Sequence, residues 1–585
     1  MSQQKMARKN LVNSVFTAVE ESLTGWSMAF PHLEFHSTKR VVLAPLWREP
    51  SEKVTVICGG GSGHEPFAAG FVGSGMLNAA IAGSIFASPP SSNILYALKC
   101  VSMNNKAGTV VIIPNYTGDC LNFGLAIEKA KLLGLKVNDV IVAEDCSIPE
   151  SEQGRAGRRG LCGILFVMKT AGALAKRGHN LEDVTKYAKI VAQNMATYGA
   201  ALTACTLPGQ GLMFEIPADE IEFGLGIHGE AGLERKKLER ASKVVAEILK
   251  KLTEALSLVR DDSVAVIVNN FGGLSQLENG IIINEVVRQL QSIGIQPLRV
   301  YGGILMSSLD SVGVHISILK LPENEKSIII SCLDDPTDAP QWPGNVYSPP
   351  PQFPRLPFEE AGKTEFSEIG KQFSKSQEHL FKECLRRASL SIITEENFIN
   401  DLDRGCGDGD CGSTLKQLAD SILSSLDIFK TSHPSSVFTE LSYIAEEKMG
   451  GTSGALYGLM FTLAAKEFAN GKDSEWRSLW HSAWRTAIDG VMRHSKAQLG
   501  DKTMLDAMDP GCKELENNLS QSLPYTEVVK KIVKAVQEGC EATKNLVPKA
   551  GRASYVKQAE FLKQADAGAY AVSIWIQAVA TTLNN

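Results

Sequence analysis

Hydrophobic and polar positions along this chain follow two different rhythms, one on each side of a proline-dense segment. Before that segment, short apolar runs end in glycine or a polar loop: VTVICGGG, GTVVIIPNY, VNDVIVAED, EIEFGLGIH, SVAVIVNNFGG and VHISILKL. Their length and β-branched content predict buried strands. Between them, LNFGLAIEKAKLLG and RKKLERASKVVAEILKKL carry helical spacing. This alternation predicts an α/β domain over residues 1–335, and length alone suggests two subdomains dividing near residue 190. From Pro336 to Pro357 the chain places eight of its 24 prolines. Such density supports neither helix nor central strand, so 336–368 reads as an extended linker. Beyond it, HLFKECLRRASLSIITEENFIND, GSTLKQLADSILSSL, SGALYGLMFTLAAKEFA, YTEVVKKIVKAVQEGCEATKNLV and AGAYAVSIWIQAVATTL all have helical periodicity. An all-α domain over 369–585 follows, with its Gly/Asp-rich segments as inter-helix loops.

Composition narrows the function classes. A chain of 585 residues is about twice the size at which one core stops growing, so several domains are expected. With 44% hydrophobic and 21% charged residues it is an ordinary globular sequence. The net charge of −6, without a basic tract, points away from a nucleic-acid partner. Twelve cysteines without a CxxC pair fit neither a zinc ribbon nor a dense disulfide scaffold. No apolar run reaches the length of a membrane span, and LVNSVFTAVEESL near the start is too polar for a signal core. The expectation is a cytoplasmic protein with no membrane contact.

Two stretches match the dinucleotide pattern GxGxxG. Gly224 to Gly229 follows a strand, and a helix is expected after it, but the next strand ends in Asn269-Asn270 rather than an acid for ribose. Gly407 to Gly412 follows no strand and sets carboxylates where a pyrophosphate would sit. The second stretch reads better as a cation site. Asp403, Asp408 and Asp410 fall within eight residues, and an oxygen-only donor set suits Mg²⁺. An Asp/Gly turn capping the helix that follows explains the spacing equally well. Gly450 to Gly454 leads into a second apolar helix, either as a phosphate cradle or as a close-packing loop. Arg552, in GRASY, is of the type that neutralises a transferred phosphoryl group. At three strand ends, where α/β sheets bind ligands, stand His64 (GGGSGHEP), Asp119 (NYTGD) and His228 (GIHGE).

Taken together, GGGSGHEP, NYTGD, GRRGLCG and GLGIHGEAG, then GDGDCGST, EKMGGTSGALYG, GDKTMLD and GRASY, resemble the dihydroxyacetone kinase family in its fused, two-domain form. The resemblance implies that His228 attacks a ketone carbon and holds the triose as a hemiaminal, which requires an unprotonated imidazole. It also implies that Gly61, Ser62, Gly63, His64, Asn115 and Asp119 line the triose site, with His64 and Asp119 as acid/base partners. In the helical domain it implies a helix barrel with ATP and two Mg²⁺ ions at one end. Asp403, Asp408 and Asp410 would hold the metals. Asp408, Gly409, Asp410, Cys411, Thr452, Ser453, Ser495, Thr503, Met504, Arg552, Asp566, Ala567 and Gly568 would surround the nucleotide.

Dihydroxyacetone is the implied acceptor, D-glyceraldehyde a second one, and a homodimer the implied assembly. Lyase action on FAD, releasing cyclic FMN with Mg²⁺ or Mn²⁺, is an alternative that needs only the helical domain. A non-catalytic regulatory descendant is a third reading. It is motivated by departures from the family pattern: Pro114 stands where a lysine is usual and Cys120 where an arginine is common. Ser495 and Ala567 replace the usual Gly and Pro.

Overall fold

The computed structural model describes residues 10–45, 47, 51–149, 151, 155–344, 368–404, 407–521, 523–550 and 563–584. The chain divides into two compact units, Met1–Pro354 and Arg355–Asn585.

The first unit holds two six-stranded sheets. In the first sheet, β1 (Glu34–His36), β2 (Val41–Leu43), β3 (Thr55–Ser62), β4 (Ala79–Ile85), β5 (Thr109–Pro114) and β6 (Val137–Val142) run in the order β1-β2-β4-β3-β5-β6. The pairs β3–β4, β3–β5 and β5–β6 are parallel. Helices α1 (Ala18–Ala29), α2 (Ser91–Ser102) and α3 (Thr117–Leu132) belong to this half. Two further helices, α4 (Ile164–Arg177) and α5 (Leu181–Gln193), lead to the second sheet. Its strands are β7 (Met195–Ala201), β8 (Glu220–Phe223), β9 (Glu234–Lys237), β10 (Ser263–Asn270), β11 (Gln296–Gly303) and β12 (Gly313–Lys320), ordered β11-β10-β12-β7-β8-β9. Only β10–β11 is parallel. Helices α6 (Ala241–Ala255), α7 (Gln276–Ser292) and α8 (Lys326–Asp334) complete the unit.

The six strand runs seen in the sequence are β3, β5, β6, β8, β10 and β12. Two local expectations differ. The segment after Gly224–Gly229 enters β9 before any helix, so it lacks the strand–loop–helix order of a pyrophosphate site, and Arg235 to Lys237 are strand rather than helix. β9 pairs with β8 and sets its charges against acids there, as in Arg235–Glu222 at 2.5 Å. MATYGAA gives little strand signal, being rich in alanine, yet β7 is buried at every position because it lies inside the second sheet.

Helix α4 joins the two halves. Every residue from Ile164 to Ala175 is buried, and the same core takes in Val56, Cys58, Val110 and Ile112 from the first sheet and Ala265, Ile267 and Leu319 from the second. Lys169 lies within this core, donating to the Cys332 carbonyl at 2.5 Å and facing the Trp342 ring. That pairing satisfies a charge that burial alone would not tolerate. Trp342 and Ala339 are themselves core residues, and Trp342 packs on Tyr301 at 4.6 Å between ring centroids. The start of the proline-rich segment is therefore packed onto the first unit rather than extended from it. Residues 345–367 of the expected linker lie outside the described residues.

The second unit is helical, with no strand among its described residues. Its helices are α9 (Lys375–Thr394), α10 (Glu396–Asp403), α11 (Cys411–Ser425), α12 (Pro434–Ile444), α13 (Gly451–Asn470), α14 (Trp476–Ser495), α15 (Leu505–Asn517), α16 (Tyr525–Ala542) and α17 (Ala567–Asn584). From α11 onward each packs on the next, α17 returns to α9, and α9 packs on α11, which closes a ring around a main apolar core, with a smaller cluster of Ala464, Phe468, Leu479 and Ala483 between α13 and α14. Among the described residues, no helix is long and apolar enough to cross a membrane.

Gly172 of α4 allows the helix to meet the Met76 backbone, where an added Cβ would come within 2.3 Å of Met76 Cα. Backbone cannot yield as a side-chain tip can. Gly172→Ala is expected to destabilise the first unit by about 2 kcal/mol, the usual scale of overpacking, read as a lower urea midpoint with an unchanged slope.

Candidate active site

In the first unit the chemistry gathers where loops from both sheets meet. β3 ends in Ser62, and the chain turns through Gly63 at φ +96° into His64. A Cβ on Gly63 would lie 2.7 Å from the Phe86 ring, so glycine is required for space as well as for φ. His64 is buried and stacks on Phe86 at 5.0 Å between centroids. Its Nδ1 lies 3.0 Å from the Ser307 carbonyl oxygen. A neutral ring must donate there, which leaves Nε2 as a bare acceptor, and that atom is buried without a partner. Burial and the neighbouring His228 push His64 down to about 3, so it is neutral at physiological pH.

His228 comes from the loop after β8. Three rings meet it nearly at right angles: Tyr116 at 4.6 Å, His64 at 4.8 Å and Phe86 at 5.4 Å. Burial holds its pKa below the usual histidine value, Glu230 opposes that shift, and Arg159 reinforces it. The result is an unprotonated imidazole fixed in orientation, the state a nucleophile needs.

Asp119 stands in the first turn of α3 and is 5% exposed. It lies beside Ser88, two residues beyond Phe86, and its Oδ1 has no hydrogen-bond partner. Burial pushes its carboxyl up to about 6, with the Ser88 hydroxyl opposing. A carboxylate at that value still ionises at neutral pH and is basic enough to take a hydroxyl proton.

The remaining triose-site candidates are bound up in the scaffold. Gly61 passes the Phe86–Ala87 backbone too closely for a Cβ, and the Ser62 hydroxyl donates to the Gly83 carbonyl at 2.8 Å. The Asn115 amide donates to the Ala156 and Arg158 carbonyls at 2.8 and 2.6 Å and accepts from the Cys120 thiol at 3.4 Å. Pro114 ends β5, and Gly160 crosses directly over its Cα. Sequence reasoning assigned no role to Phe86, Tyr116, Ser88 or Arg159. Tyr116 and Arg159 lay inside the motifs NYTGD and GRRGLCG, but only the fold reveals what they touch.

In the second unit, Asp403 closes α10 and Asp410 precedes α11, and one carboxylate oxygen from each of Asp403, Asp408 and Asp410 lies within 4.8 Å of the others. Asp403 Oδ2 accepts from the Gly409, Asp410 and Cys411 N–H groups at 2.9, 3.2 and 3.4 Å. The turn-and-cap reading therefore describes Asp403, while Asp408 and Asp410 are exposed. Three carboxylates this close repel one another, and an oxygen-only set of this kind fits a hard cation such as Mg²⁺.

Cys411 opens α11 beside this cluster, and the charges of Asp403, Asp408, Asp410 and Asp566 all act on its thiol. Asp566 accepts the Ala569 N–H at 2.8 Å just ahead of α17, and burial among acids pushes it up to about 6. Ala567 and Gly568 begin that helix, and Gly568 faces Met504. Thr503 donates its N–H to Asp506 at 2.8 Å. Thr452 and Ser453 form the first turn of α13, entered through Gly450 and Gly451 at φ +63° and +55° with no side-chain cap. Ser495 ends α14, its hydroxyl donating to the Val491 carbonyl at 2.6 Å. Arg552 lies outside the described residues.

The sequence matches two family models, the Dak1 domain over residues 24–341 and the DAK2 domain over 405–581. The chain belongs to the dihydroxyacetone kinase family. Among its relatives, a triokinase/FMN cyclase from Mus musculus is 39% identical, with 99% of each chain covered. A putative 3,4-dihydroxy-2-butanone kinase from Solanum lycopersicum is 36% identical over 98% of each. The dihydroxyacetone kinase of C. freundii, solved in complex with AMP-PNP and Mg²⁺, is 30% identical. It superposes with a TM-score of 0.66, covering 98% of this chain and 100% of that one. The dihydroxyacetone kinase fold thus extends across both units of the present chain.

If Asp119 accepts the acceptor's proton, it must be ionised. Turnover with a saturating triose is expected to fall below about pH 6 with a slope of one proton, and Asp119→Asn is expected to lower kcat by at least about 100-fold on the plateau above pH 6 and to remove that acid limb. A kcat–pH profile checks both.

Proposed function

We propose that this protein is an ATP-dependent triose kinase that phosphorylates dihydroxyacetone, with D-glyceraldehyde as a further acceptor. The observation that carries this reading is the ring-caged, unprotonated His228 beside the buried His64, whose Nε2 awaits a partner, while Asp119, a buried carboxyl with a partnerless Oδ1, stands next to Ser88 two residues beyond Phe86 of the same ring cage. A kinase acting on free alcohols needs no nucleophile there, whereas one that captures a carbonyl does. A nitrogen of His228 forms a bond to the carbonyl carbon, the C=O π pair moves to oxygen, and that oxygen gains a proton as the ring loses one. The captured triose then presents a hydroxyl whose proton passes to Asp119 as its oxygen bonds to phosphorus and ADP departs. The His64 Nε2 acceptor suits a substrate hydroxyl as partner. Pro114 and Cys120 leave this acceptor site without two cations usual in the family, so the hydroxyl groups of the triose rely on neutral and anionic partners.

ATP belongs to the second unit. Asp403, Asp408 and Asp410 would hold Mg²⁺, which when bound neutralises phosphate charge during transfer. The uncapped first turn of α13 offers N–H groups to phosphate oxygens, and the loops at Ser495, Thr503, Met504 and Asp566 to Gly568 complete the nucleotide surroundings. The same unit supports a second activity. FAD carries an ADP half like that of ATP, and the full-length relatives named triokinase/FMN cyclase favour FAD–AMP lyase action with Mg²⁺ or Mn²⁺.

With Mg-ATP, the purified protein is expected to convert dihydroxyacetone to its phosphate and to leave glycerol unchanged. His228→Ala is expected to lose at least about 1,000-fold in kcat/KM for the ketone while keeping cyclic FMN formation from FAD. Absence of triose phosphate from the native protein would overturn the kinase reading. Asp408→Asn is expected to abolish both activities and to remove the rise in melting temperature that Mg-ATP gives the native protein, measured by scanning calorimetry.

A further inference from the structure

Arg159 is exposed to solvent over only 16% of its side chain and makes four polar contacts there. Its Nε donates to Asp145 at 2.6 Å. One terminal nitrogen donates to Glu230 at 2.9 Å, and the other to the Gly224 carbonyl at 2.8 Å and the Ser147 hydroxyl at 3.1 Å. These partners come from both halves of the unit. Asp145 and Ser147 follow β6 of the first sheet, while Gly224 and Glu230 flank the His228 loop after β8 of the second. The second oxygen of Glu230 then accepts the His228 backbone N–H at 2.8 Å.

The loop is shaped around this pair. A Cβ on Gly226 would fall 1.8 Å from Glu230 Oε1 and 2.7 Å from the nearer Arg159 nitrogen, so the second glycine of GLGIHG is the space the ion pair occupies. His64 and Asp119 sit on loops of the first sheet. Besides the clamp, the loop is held by the Ser308 hydroxyl on the Ile227 carbonyl at 2.9 Å, by His315 Nε2 at 3.1 Å from the Leu225 carbonyl oxygen, by Ile227 in the shared core and by the rings around His228, none of which carries a charge-paired fork across the two halves.

We propose that Arg159 is a positioning residue for carbonyl capture, seating the His228 loop against the first sheet through the Asp145–Arg159–Glu230 chain. This rests on the reading of His228 as the nucleophile. A second consequence is electrostatic. The titratable groups facing His228 are His64, Tyr116, Glu230 and Arg159, with Glu144, Asp145 and His315 behind them. Of these, the Arg159 charge favours the neutral imidazole and the Glu230 charge favours the protonated one. Removing one or the other must shift the titration of His228 in opposite directions.

The test uses the full chain and dihydroxyacetone labelled with ¹³C at the carbonyl. Capture is read by NMR as conversion of a ketone carbon to a tetrahedral one, titrated against pH without ATP, so that Asp119 does not enter. Native protein is expected to capture the label, with occupancy lost at acid pH. In Arg159→Met the half-capture pH rises by about one unit, and in Glu230→Gln it falls. Arg159→Lys keeps the charge but not the fork, so its half-capture pH stays near native while kcat drops about 10-fold to 100-fold, the cost of slight misplacement. Shifts of the same sign in the two charge-removing variants, or no shift in either, would overturn the role of Arg159. So would native kcat in Arg159→Lys. Failure of the native protein to capture the label, matched by His228→Ala, would instead overturn the nucleophile reading beneath it.

Discussion

The arrangement of the first unit depends on one constraint, which is that both sheets bury residues in a single shared core built around α4. α4 has no polar face to turn toward water over Ile164–Ala175, so both sheets are held against it. Burial of this extent fixes where the ends of β3 and β5 stand, and through them His64 and Asp119, while Ile227 in the same core anchors the loop that carries His228. The polar ties between the halves then have only small distances to close: Ser307 N–H to the His64 carbonyl at 3.1 Å, Leu309 N–H to the Gly63 carbonyl at 2.9 Å, and the Arg159 fork. Hydrophobic burial supplies the placement, and directional bonds refine it.

The second unit solves a different problem by different means. Its ring of helices places the three aspartates and the uncapped start of α13 at the connections between helices. Asp403 illustrates the division of labour within one loop. One of its oxygens holds three backbone N–H groups and sets the turn, which leaves Asp408 and Asp410 exposed beside it. A carboxylate that organises a turn and carboxylates that face solvent are different roles for the same residue type.

Much of this was legible in the sequence because it follows from periodicity. Long apolar runs gave β3, β5, β10 and β12, and the switch to helical spacing beyond the prolines separated the units. Motif resemblance located His64, Asp119, His228 and the three aspartates. What escaped has physical reasons. Four of the seven residues of β7 are alanine or glycine, which disfavour strands, and Thr197 and Tyr198 alone make too short a signal to stand out, so its conformation depends on its neighbours. The packed stretch through Trp342 was hidden by prolines that break helices but do not prevent a chain from lying in a groove. Arg159 and Phe86 are distant in sequence from the residues they serve, and a one-dimensional pattern carries no information about such contacts. Asn115 shows the converse, since its motif suggested substrate while its amide is occupied by the 156–158 segment.

If His228 is the nucleophile proposed above, the three rings set at right angles around it bear on how often it is ready to react. An imidazole on an open loop would rotate among several orientations and find the reactive one only in a fraction of encounters. Here Tyr116, His64 and Phe86 remove those alternatives before any substrate arrives. The loss of side-chain entropy is charged against folding once, when the unit assembles, and does not recur with each turnover.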